Sequence, residues 1–236
     1  MANRTVRCWG NNTFGQLGVG ETAARSAAVT VTGLTNVNAI AVGAYHSCAV
    51  LADGATRCWG NNSSGQLGDG STVSSPVPVT PFNLAAASDV AAGDNHTCVV
   101  RVSGAASCWG DNYSGQLGTG SNSAGATPRA VALLSGAASI TAGSAHTCAI
   151  KTDGTALCWG DNSNGQLGNG SRAASNVPVV ISSLSGVRAI RAGSAYSCAI
   201  TAGRTVSCWG ENTFGQLGNG APLPPANPQP GDPAPR

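Results

Sequence analysis

Charged residues are scarce in this chain. Asp, Glu, Lys and Arg together make up 9% of the 236 residues, and the formal net charge is only +2. The basic residues are scattered singly, and Lys151 is the only lysine. Because nucleic-acid binding depends on clustered Lys and Arg side chains that neutralise phosphates, this distribution predicts no nucleic-acid partner.

Long apolar runs and helical periodicity are also missing. No apolar stretch approaches the roughly 20 residues that cross a bilayer. Residues 1–4 lead directly into a strand-like segment, without the apolar core of a signal peptide. We therefore expect no membrane insertion and find no export address in the chain as written. The apolar share of 42% is nevertheless enough to build a core.

Glycine is abundant, and most of its 33 copies recur at fixed places in one repeated phrase. The phrase reads CWGNNTFGQLGVG, CWGNNSSGQLGDG, CWGDNYSGQLGTG, CWGDNSNGQLGNG and CWGENTFGQLGNG. Its tryptophans stand 50 residues apart, at positions 9, 59, 109, 159 and 209. A period of this length is typical of proteins built from stacked or radially arranged repeats.

Each period contains four short strand candidates separated by Gly, Pro, Asn or Asp. In the second repeat they are residues 77–80, 88–92, 97–101 and 105–109. The third and fourth strands are apolar on both faces, so each sheet has to be covered on both sides. Four short antiparallel strands per period are typical of a propeller blade. The sequence therefore predicts an all-β fold, a β-propeller.

The segment from Gly43 to Gly68 closely resembles the regulator-of-chromosome-condensation repeat. The family pattern is a Gly, a His-Ser/Thr pair, a D-G turn and then W-G-x-N-x-x-G-Q-L-G, and it returns in every period. The resemblance implies a propeller that usually closes with seven blades. This chain holds four full periods, at about residues 11–60, 61–110, 111–160 and 161–210, plus an extra N-terminal strand. We therefore expect four full four-stranded blades in an incomplete ring of this type.

The end of the chain differs in composition from the repeats. Seven of the twelve prolines fall in residues 221–236, which show no apolar pattern. We expect the propeller to occupy residues 1–220, and residues 221–236 to form a disordered Pro-rich tail or linker.

The nine cysteines form four pairs and leave Cys8 unpaired. In the hairpin closed by Leu51 and Ala55 around the turn Ala52-Asp53-Gly54, Cys48 faces Cys58 at a close, non-hydrogen-bonded position. The predicted disulfide cysteines are Cys48, Cys58, Cys98, Cys108, Cys148, Cys158, Cys198 and Cys208. The alternative is that they are reduced and pack as small apolar side chains.

Disulfides place the protein outside the reducing cytosol, in an extracellular or periplasmic compartment. A zinc site is not expected, because each hairpin supplies only two thiolates. The hairpin 201–204 shifts its glycine by one place, so its cysteine pair is the least secure of the four.

Two other repeated residue types are predicted to be structural. The histidines occupy one repeat position, where the fourth period has Tyr196, and identical groups at identical positions indicate packing. We expect backbone hydrogen bonds to satisfy each His, and each Trp to pack in the core beside a disulfide. The residues are His46, His96, His146, Trp9, Trp59, Trp109, Trp159 and Trp209.

No Ser-His-Asp order, close carboxylate pair or phosphate-binding Gly loop stands out, so we expect no enzyme activity, cofactor or metal. Function is then expected where the repeats differ. Exposed aromatic residues at loop tips are frequent anchors of protein interfaces. The candidate partner-binding residues are Phe14, Tyr45, Asp94, Asn95, Tyr113 and Phe214. Alternatively, the two Phe side chains pack under their loops.

Three functions follow from these patterns. The first is a bacterial, exported, non-enzymatic protein-binding scaffold that uses variable loops on one propeller face. The second, implied by the resemblance, is a guanine-nucleotide exchange factor for a small GTPase with chromatin binding, although no period carries the protruding wedge or basic surface that this activity requires. The third is a structural segment of a larger surface protein. Self-association through open blade edges is a further expectation.

Overall fold

The computed structural model describes residues 4–220 and 225–230, and the regular secondary structure of these residues is entirely β. Hairpins and turns with glycine at positive φ connect short strands. The strands are β1 (Arg7–Gly10), β2 (Arg25–Thr30), β3 (Val37–Val42), β4 (His46–Leu51), β5 (Thr56–Gly60), β6 (Ser75–Val79), β7 (Ala87–Ala92), β8 (His96–Arg101), β9 (Ala106–Gly110), β10 (Gly125–Ala130), β11 (Ala137–Ala142), β12 (His146–Lys151), β13 (Ala156–Gly160), β14 (Ser175–Val180), β15 (Val187–Ala192), β16 (Tyr196–Thr201), β17 (Val206–Gly210) and β18 (Gln229–Pro230).

The strands form four four-stranded antiparallel sheets and one two-stranded sheet. Strands β3 to β6, β7 to β10, β11 to β14 and β15 to β18 each make one sheet in chain order. We call these sheets blades 2, 3, 4 and 5, and the pair β1 and β2 half-blade 1. The predicted all-β propeller with four complete blades and an open ring is confirmed.

The grouping of strands into blades differs from the expected one. Strand β6 was expected to begin the repeat that contains β7, but it pairs with β5 instead, with Val79 opposite Cys58. A strand that directly follows another along the chain pairs readily with it as an antiparallel neighbour. As a result the N-terminal part of the chain supplies two outer strands, β1 and β2, and not one extra strand.

The expected boundary at residue 220 also needs correction. Strand β18 pairs with β17, with Gln229 opposite Cys208. The backbone N–H of Gly170 donates to the carbonyl of Ala226 at 3.1 Å, as Gly70 donates to Ala126 in blade 3. Residues 225–230 therefore complete blade 5 as its outer strand, a position that tolerates proline. The other residues of the expected tail, 221–224 and 231–236, lie outside the described residues.

The hairpin register agrees with the prediction. The N–H of Leu51 donates to the carbonyl of Ala55 at 2.8 Å, and Cys48 lies opposite Cys58. All four cysteine pairs are at disulfide-bonding distance, with Cα atoms 4.0 to 4.1 Å apart. In the hairpin of blade 5, Arg204 adopts the positive φ that glycine has in the other blades, so the register is unchanged.

The core lies between consecutive blades. Trp109 of blade 3 packs with Cys48, Cys58 and Leu67 of blade 2, so the disulfide beside it belongs to the preceding blade. Trp159 and Trp209 are arranged in the same way, whereas Trp59 packs near the unpaired Cys8 of half-blade 1 and has no disulfide beside it. The tryptophans of blades 2 to 5 are at most 1% exposed. Trp9 is 65% exposed, so the prediction that it packs in the core is wrong. No described residues form a preceding blade to cover it.

Candidate functional site

Two sets of loops come together at one end of every blade. In blade 2, the turn 43–45 leads into β4, and the loop 61–66 follows β5. Since β4 and β5 are antiparallel, the start of one lies beside the end of the other. The backbone N–H of Asn61 donates to the carbonyl of Tyr45 at 2.8 Å and ties the two segments together.

The same arrangement recurs along the chain, and we call this end of the blades the loop face. It comprises the turns 43–45, 93–95, 143–145 and 193–195 and the loops 11–16, 61–66, 111–116, 161–166 and 211–216. The cysteine hairpins lie at the opposite end of the blades.

Buried amides hold each loop of this face in one conformation. Asn62 accepts a hydrogen bond from the N–H of Leu67 at 2.9 Å, and its amide nitrogen donates to the carbonyl of Ser71 at 3.1 Å. Gln66 accepts from the N–H of Ser64 and donates to Asn61, both at 2.9 Å. Equivalent hydrogen bonds recur in other repeats. The two variable residues before each Gly-Gln-Leu-Gly are therefore held by the same hydrogen-bonded loop structure.

The structure brings some of the candidate residues into contact. The rings of Phe14 and Tyr45 pack edge to face with centroids 5.4 Å apart, across the boundary between half-blade 1 and blade 2. At the next boundary, Asn95 accepts a 3.4 Å hydrogen bond from the amide of Gln66. Asp94 is exposed beside Asn95. Sequence reasoning placed these residues on one surface but did not foresee the pairing of Phe14 with Tyr45.

The side chains of the other two aromatic candidates, Tyr113 and Phe214, are exposed to solvent. Tyr113 is 87% exposed and Phe214 is 89% exposed. The alternative that Phe214 packs under its loop is therefore wrong, whereas Phe14 is half-buried against Tyr45. The loop face thus presents apolar rings to solvent at positions where the repeats differ.

The three histidines form hydrogen bonds between blades. The ring Nε2 of His46 lies 2.8 Å from the hydroxyl of Thr97 in blade 3, and that hydroxyl donates to the carbonyl of Gln66. The imidazole N–H is therefore the donor to Thr97. His96 and His146 make the same contact with Thr147 and Ser197. The expected backbone partners are replaced by side-chain hydroxyls, because each His lies against the next blade.

Burial also fixes the charge state of these histidines. All three are fully buried, and desolvation lowers the pKa of His46 to about 4, of His96 to about 3 and of His146 to about 4. Neighbouring histidines lower the pKa of His96 further. The Nδ1 atoms have no hydrogen-bond partner among the described residues. The rings are therefore neutral at physiological pH and serve as links between blades.

Within residues 4–220 and 225–230, no group of three or more His, Cys, Asp or Glu side chains is arranged to hold a metal ion. The same residues contain no helix that is long and apolar enough to cross a membrane.

Sequence reasoning missed a second exposed surface, next to half-blade 1. Trp9, Ile40 and Val42 line a groove of about 400 Å³ there, together with Cys8. The available signal was the unpaired Cys8, which belongs to a repeat whose inner strands are not among the described residues.

Several solved structures share this architecture. Human WBSCR16 has 23% sequence identity and a TM-score of 0.87, and the match covers 98% of this chain and 64% of that one. Prp20p from Saccharomyces cerevisiae has 22% identity and a TM-score of 0.82, with 98% and 60% covered. The chain thus spans less than two thirds of the length of these structures.

Sequence comparison gives the family directly. No curated protein matches the chain at a significant level. The family model described as the RCC1-like domain matches residues 1–232, which is nearly the whole sequence. The strand order, the repeated Trp-Gly phrase and this match agree, and the chain belongs to the RCC1-like domain family.

Proposed function

We propose that this chain is a non-enzymatic scaffold that binds a protein partner through its loop face. The observation that carries the proposal is the exposure of Tyr113 and Phe214 on the repeated frame of that face. Large aromatic rings dominate the binding energy of many interfaces, because they bury much apolar area at a low cost in conformational entropy.

Rigidity of the surrounding loops supports this function. The hydrogen bonds of Asn112 and Gln116 hold the loop that carries Tyr113 before any partner arrives. A preorganised surface loses less conformational entropy on binding than a mobile one. The sparse charge of the chain favours a partner recognised by shape and apolar contact.

The four cysteine pairs support an exported protein in an extracellular or periplasmic compartment, because disulfides persist in oxidising compartments. The protein is purified from such a compartment without reductant and denatured, and its free thiols are counted. This count tests whether the four disulfides form there. We expect about one thiol per chain, from Cys8. A count near the nine cysteines of the sequence would contradict it.

The binding experiment compares two variants. The double variant Tyr113→Ala/Phe214→Ala removes two exposed rings from the loop face. The matched control, Phe82→Ala, removes a ring that is 64% exposed at the opposite end of blade 2. Immobilised wild-type protein and the control should retain the same species from periplasmic or secreted fractions, and the double variant should lose it. Equal retention by all three would refute binding through the loop face.

Nucleotide exchange on a small GTPase is the second candidate. A solved structure of Prp20p is described together with its binding to Gsp1p and histones, and another shows yeast RCC1 bound to Kap60. At 22% identity this likeness supports the fold, and exchange activity needs its own test. Accelerated release of labelled GDP from a Ran-type GTPase would favour it over the scaffold. A structural segment of a larger surface protein is the third candidate.

A further inference from the structure

The first strand of every full blade has a free edge. Strands β3, β7, β11 and β15 each pair with one strand only among the described residues. They lie next to one another, because β7 contacts both β3 and β11, and β11 contacts β15. Together they line a cavity of about 320 Å³ whose wall is largely polar. We call this cavity the inner pocket.

The polar side chains of the inner pocket occupy positions at which the repeats differ. Two sets of equivalent positions, two residues apart on these strands, read Ala39, Asp89, Ser139 and Ala189, and then Ala41, Ala91, Thr141 and Arg191. The four polar members all line the pocket. The buried position between the two sets recurs as Val90, Ile140 and Ile190. Because other repeats fold with alanine at the polar positions, these four side chains are candidates for a binding site.

Two of the four side chains carry opposite charges and are held in place separately. The carboxylate of Asp89 accepts hydrogen bonds from the N–H of Val90 at 2.9 Å and from the N–H of Ile140 in blade 4 at 3.0 Å. One nitrogen of the Arg191 guanidinium donates to the carbonyl of Ile190 at 2.7 Å, and its other N–H groups can still donate. Neither charged group forms an ion pair with any described residue.

Two hydroxyl groups lie on β11, the strand between those that carry Asp89 and Arg191. The hydroxyl of Thr141 accepts a hydrogen bond from the N–H of Ala192 at 3.2 Å, so its own proton is free for another acceptor. The hydroxyl of Ser139 forms no hydrogen bond within the described part of the chain. Both groups are therefore available to a polar ligand in the inner pocket.

The charges of the inner pocket select one class of ligand. Asp89 would repel a ligand that is only anionic, and Arg191 would repel one that is only cationic. A metal ion is not favoured, because Asp89 is the one acidic side chain among the described residues that line the pocket. We propose that the inner pocket binds a small zwitterion of the amino-acid type, with its ammonium group on Asp89 and its carboxylate on Arg191. The cavity volume is in the range of small-molecule sites.

The environment of Asp89 is suited to an incoming cation. Burial raises the pKa of Asp89, whereas the N–H groups of Ile140 and Val90 and the charge of Arg191 lower it. An ammonium group beside the carboxylate would favour its charged form further. Binding of the zwitterion and ionisation of Asp89 therefore support each other.

A ligand can reach the inner pocket from the loop face. A second cavity, of about 420 Å³, lies between the turns that contain Gly93, Gly143 and Gly193. It shares Ala92 and Ala142 with the inner pocket, so the two cavities adjoin. The exposed aromatic residues of the loop face take no part in this site, and its test is independent of the proposed scaffold function.

Isothermal titration calorimetry of the full chain with three zwitterions tests the proposal. Glycine, 4-aminobutyrate and 6-aminohexanoate separate the ammonium group from the carboxylate by increasing distances. Each is compared with the amine and the carboxylate of the same chain length, which carry one of the two charges. We expect one zwitterion to bind at least about tenfold more tightly than both of its analogues, because each end forms a charge-assisted hydrogen bond. No binding by any zwitterion, or equal binding by an analogue, would overturn the proposal.

Substitutions on β15 locate the binding site. Arg191→Met removes the partner of the ligand carboxylate and should abolish the advantage of the zwitterion over the amine. The matched control, Arg188→Met, removes an exposed arginine of the same strand that does not line the pocket, and it should bind as the wild type does. Equal losses in the two variants would overturn the assignment of the carboxylate to Arg191.

A charge reversal tests the ligand class without depending on a loss of binding. Arg191→Glu places a second carboxylate in the inner pocket, so the diamine of matching length should bind more tightly than the zwitterion. Asp89→Asn should weaken binding of the ammonium group, and its urea unfolding curve shows whether the variant is folded. If Arg191→Glu still prefers the zwitterion, the ligand binds elsewhere and the proposal is wrong.

Discussion

The indole N–H of Trp109 donates a 2.8 Å hydrogen bond to the main-chain carbonyl of Gln66 in the preceding blade. The equivalent bonds of Trp59, Trp159 and Trp209 measure 2.8 to 2.9 Å. The conserved geometry joins the Trp-Gly phrase of one repeat to the Gly-Gln-Leu-Gly phrase of the repeat before it. Each copy of the phrase is therefore half of an interface between blades.

Replacing Trp109 with Phe removes this donor and part of the ring volume. We expect Trp109→Phe to lower the free energy of unfolding by about 2 kcal/mol. Trp9→Phe changes the same residue type at the exposed end of the chain and should cost less than about 0.5 kcal/mol. Urea denaturation of both variants measures the difference, and equal losses would contradict the interface role.

Alanine substitutions at Gly68 and Gly218 distinguish a steric clash between blades from the cost of backbone strain. Both have positive φ, so alanine is strained at either position. A Cβ on Gly68 would lie 2.6 Å from Nε1 of Trp109, whereas a Cβ on Gly218 would have no atom within 4 Å. Gly68→Ala should therefore destabilise the protein by at least about 2 kcal/mol more than Gly218→Ala. Thermal or urea unfolding of the two variants checks this ranking.

The buried histidines make stability depend on pH. Their folded pKa values are lowered to about 4 or below, while the unfolded chain titrates near 6.5. The unfolded state therefore binds protons first as the pH falls. Stability is complete above about pH 7 and is lost from about pH 6.5 downwards, by about 3 kcal/mol for each of His46 and His146 when pH 4 is reached.

The matched variant for this pH effect is His146→Tyr, which copies the residue at position 196 of the next repeat. Urea midpoints at pH 7.5 and pH 4.5 should differ less for this variant than for the wild type. Asp161 is the charged group that acts on His146, and it raises the pKa of that histidine slightly against desolvation. An unchanged pH dependence in the variant would show that His146 is not the titrating group.

Removing one cysteine pair should weaken the fold measurably. Cys98→Ser/Cys108→Ser opens the hairpin of blade 3, and closing a loop of this size contributes about 2–3 kcal/mol. Cys8→Ser should leave unfolding unchanged, because Cys8 has no disulfide partner in the described part of the chain. Unfolding is followed without reductant. With reductant, the double variant and the wild type should have the same free energy of unfolding. A difference that persists would be due to the packing of the sulfur atoms.

Substitutions of Asn112 test whether buried amide hydrogen bonds hold the loops of the loop face. The Oδ1 of Asn112 accepts from the N–H of Leu117, and its Nδ2 donates to the carbonyls of Ser121 and Ser123. Asn112→Ala should cost about 2–3 kcal/mol, because buried backbone groups lose their partners. Asn112→Asp should cost at least as much at pH 7, because a carboxylate oxygen replaces the donor and faces two carbonyls.

Asn122→Ala is the control for the Asn112 variants, since Asn122 is exposed. It should change the free energy of unfolding by less than about 1 kcal/mol. A milder effect of Asp than of Ala at position 112 would contradict the donor role of the amide.

The candidate site was predictable where residues break the repeat. Tyr113 and Phe214 fall in the pair of residues before Gly-Gln-Leu-Gly, which differs between most copies of the phrase, and the structure leaves both exposed. The contact between Phe14 and Tyr45 was not predictable, because it joins two repeat units across a blade boundary. The exposed Ile40 looks in sequence like its buried equivalents, because it differs from them only in lacking covering strands within the part of the chain that the structure describes.

The sequence by itself determined the features that depend on neighbouring residues. The period of 50, the strand candidates and the hairpin register follow from turn chemistry and alternation, and the register alone placed Cys48 opposite Cys58. Tertiary structure decided the features that depend on residues about one period apart. The stacking of blades makes the hydroxyl of Thr97 the partner of His46, and the hydrogen bond from Gly170 of blade 4 to Ala226 helps to hold the Pro-rich residues 225–230 in blade 5. Such contacts depend on how blades pack against one another, which local sequence patterns do not specify.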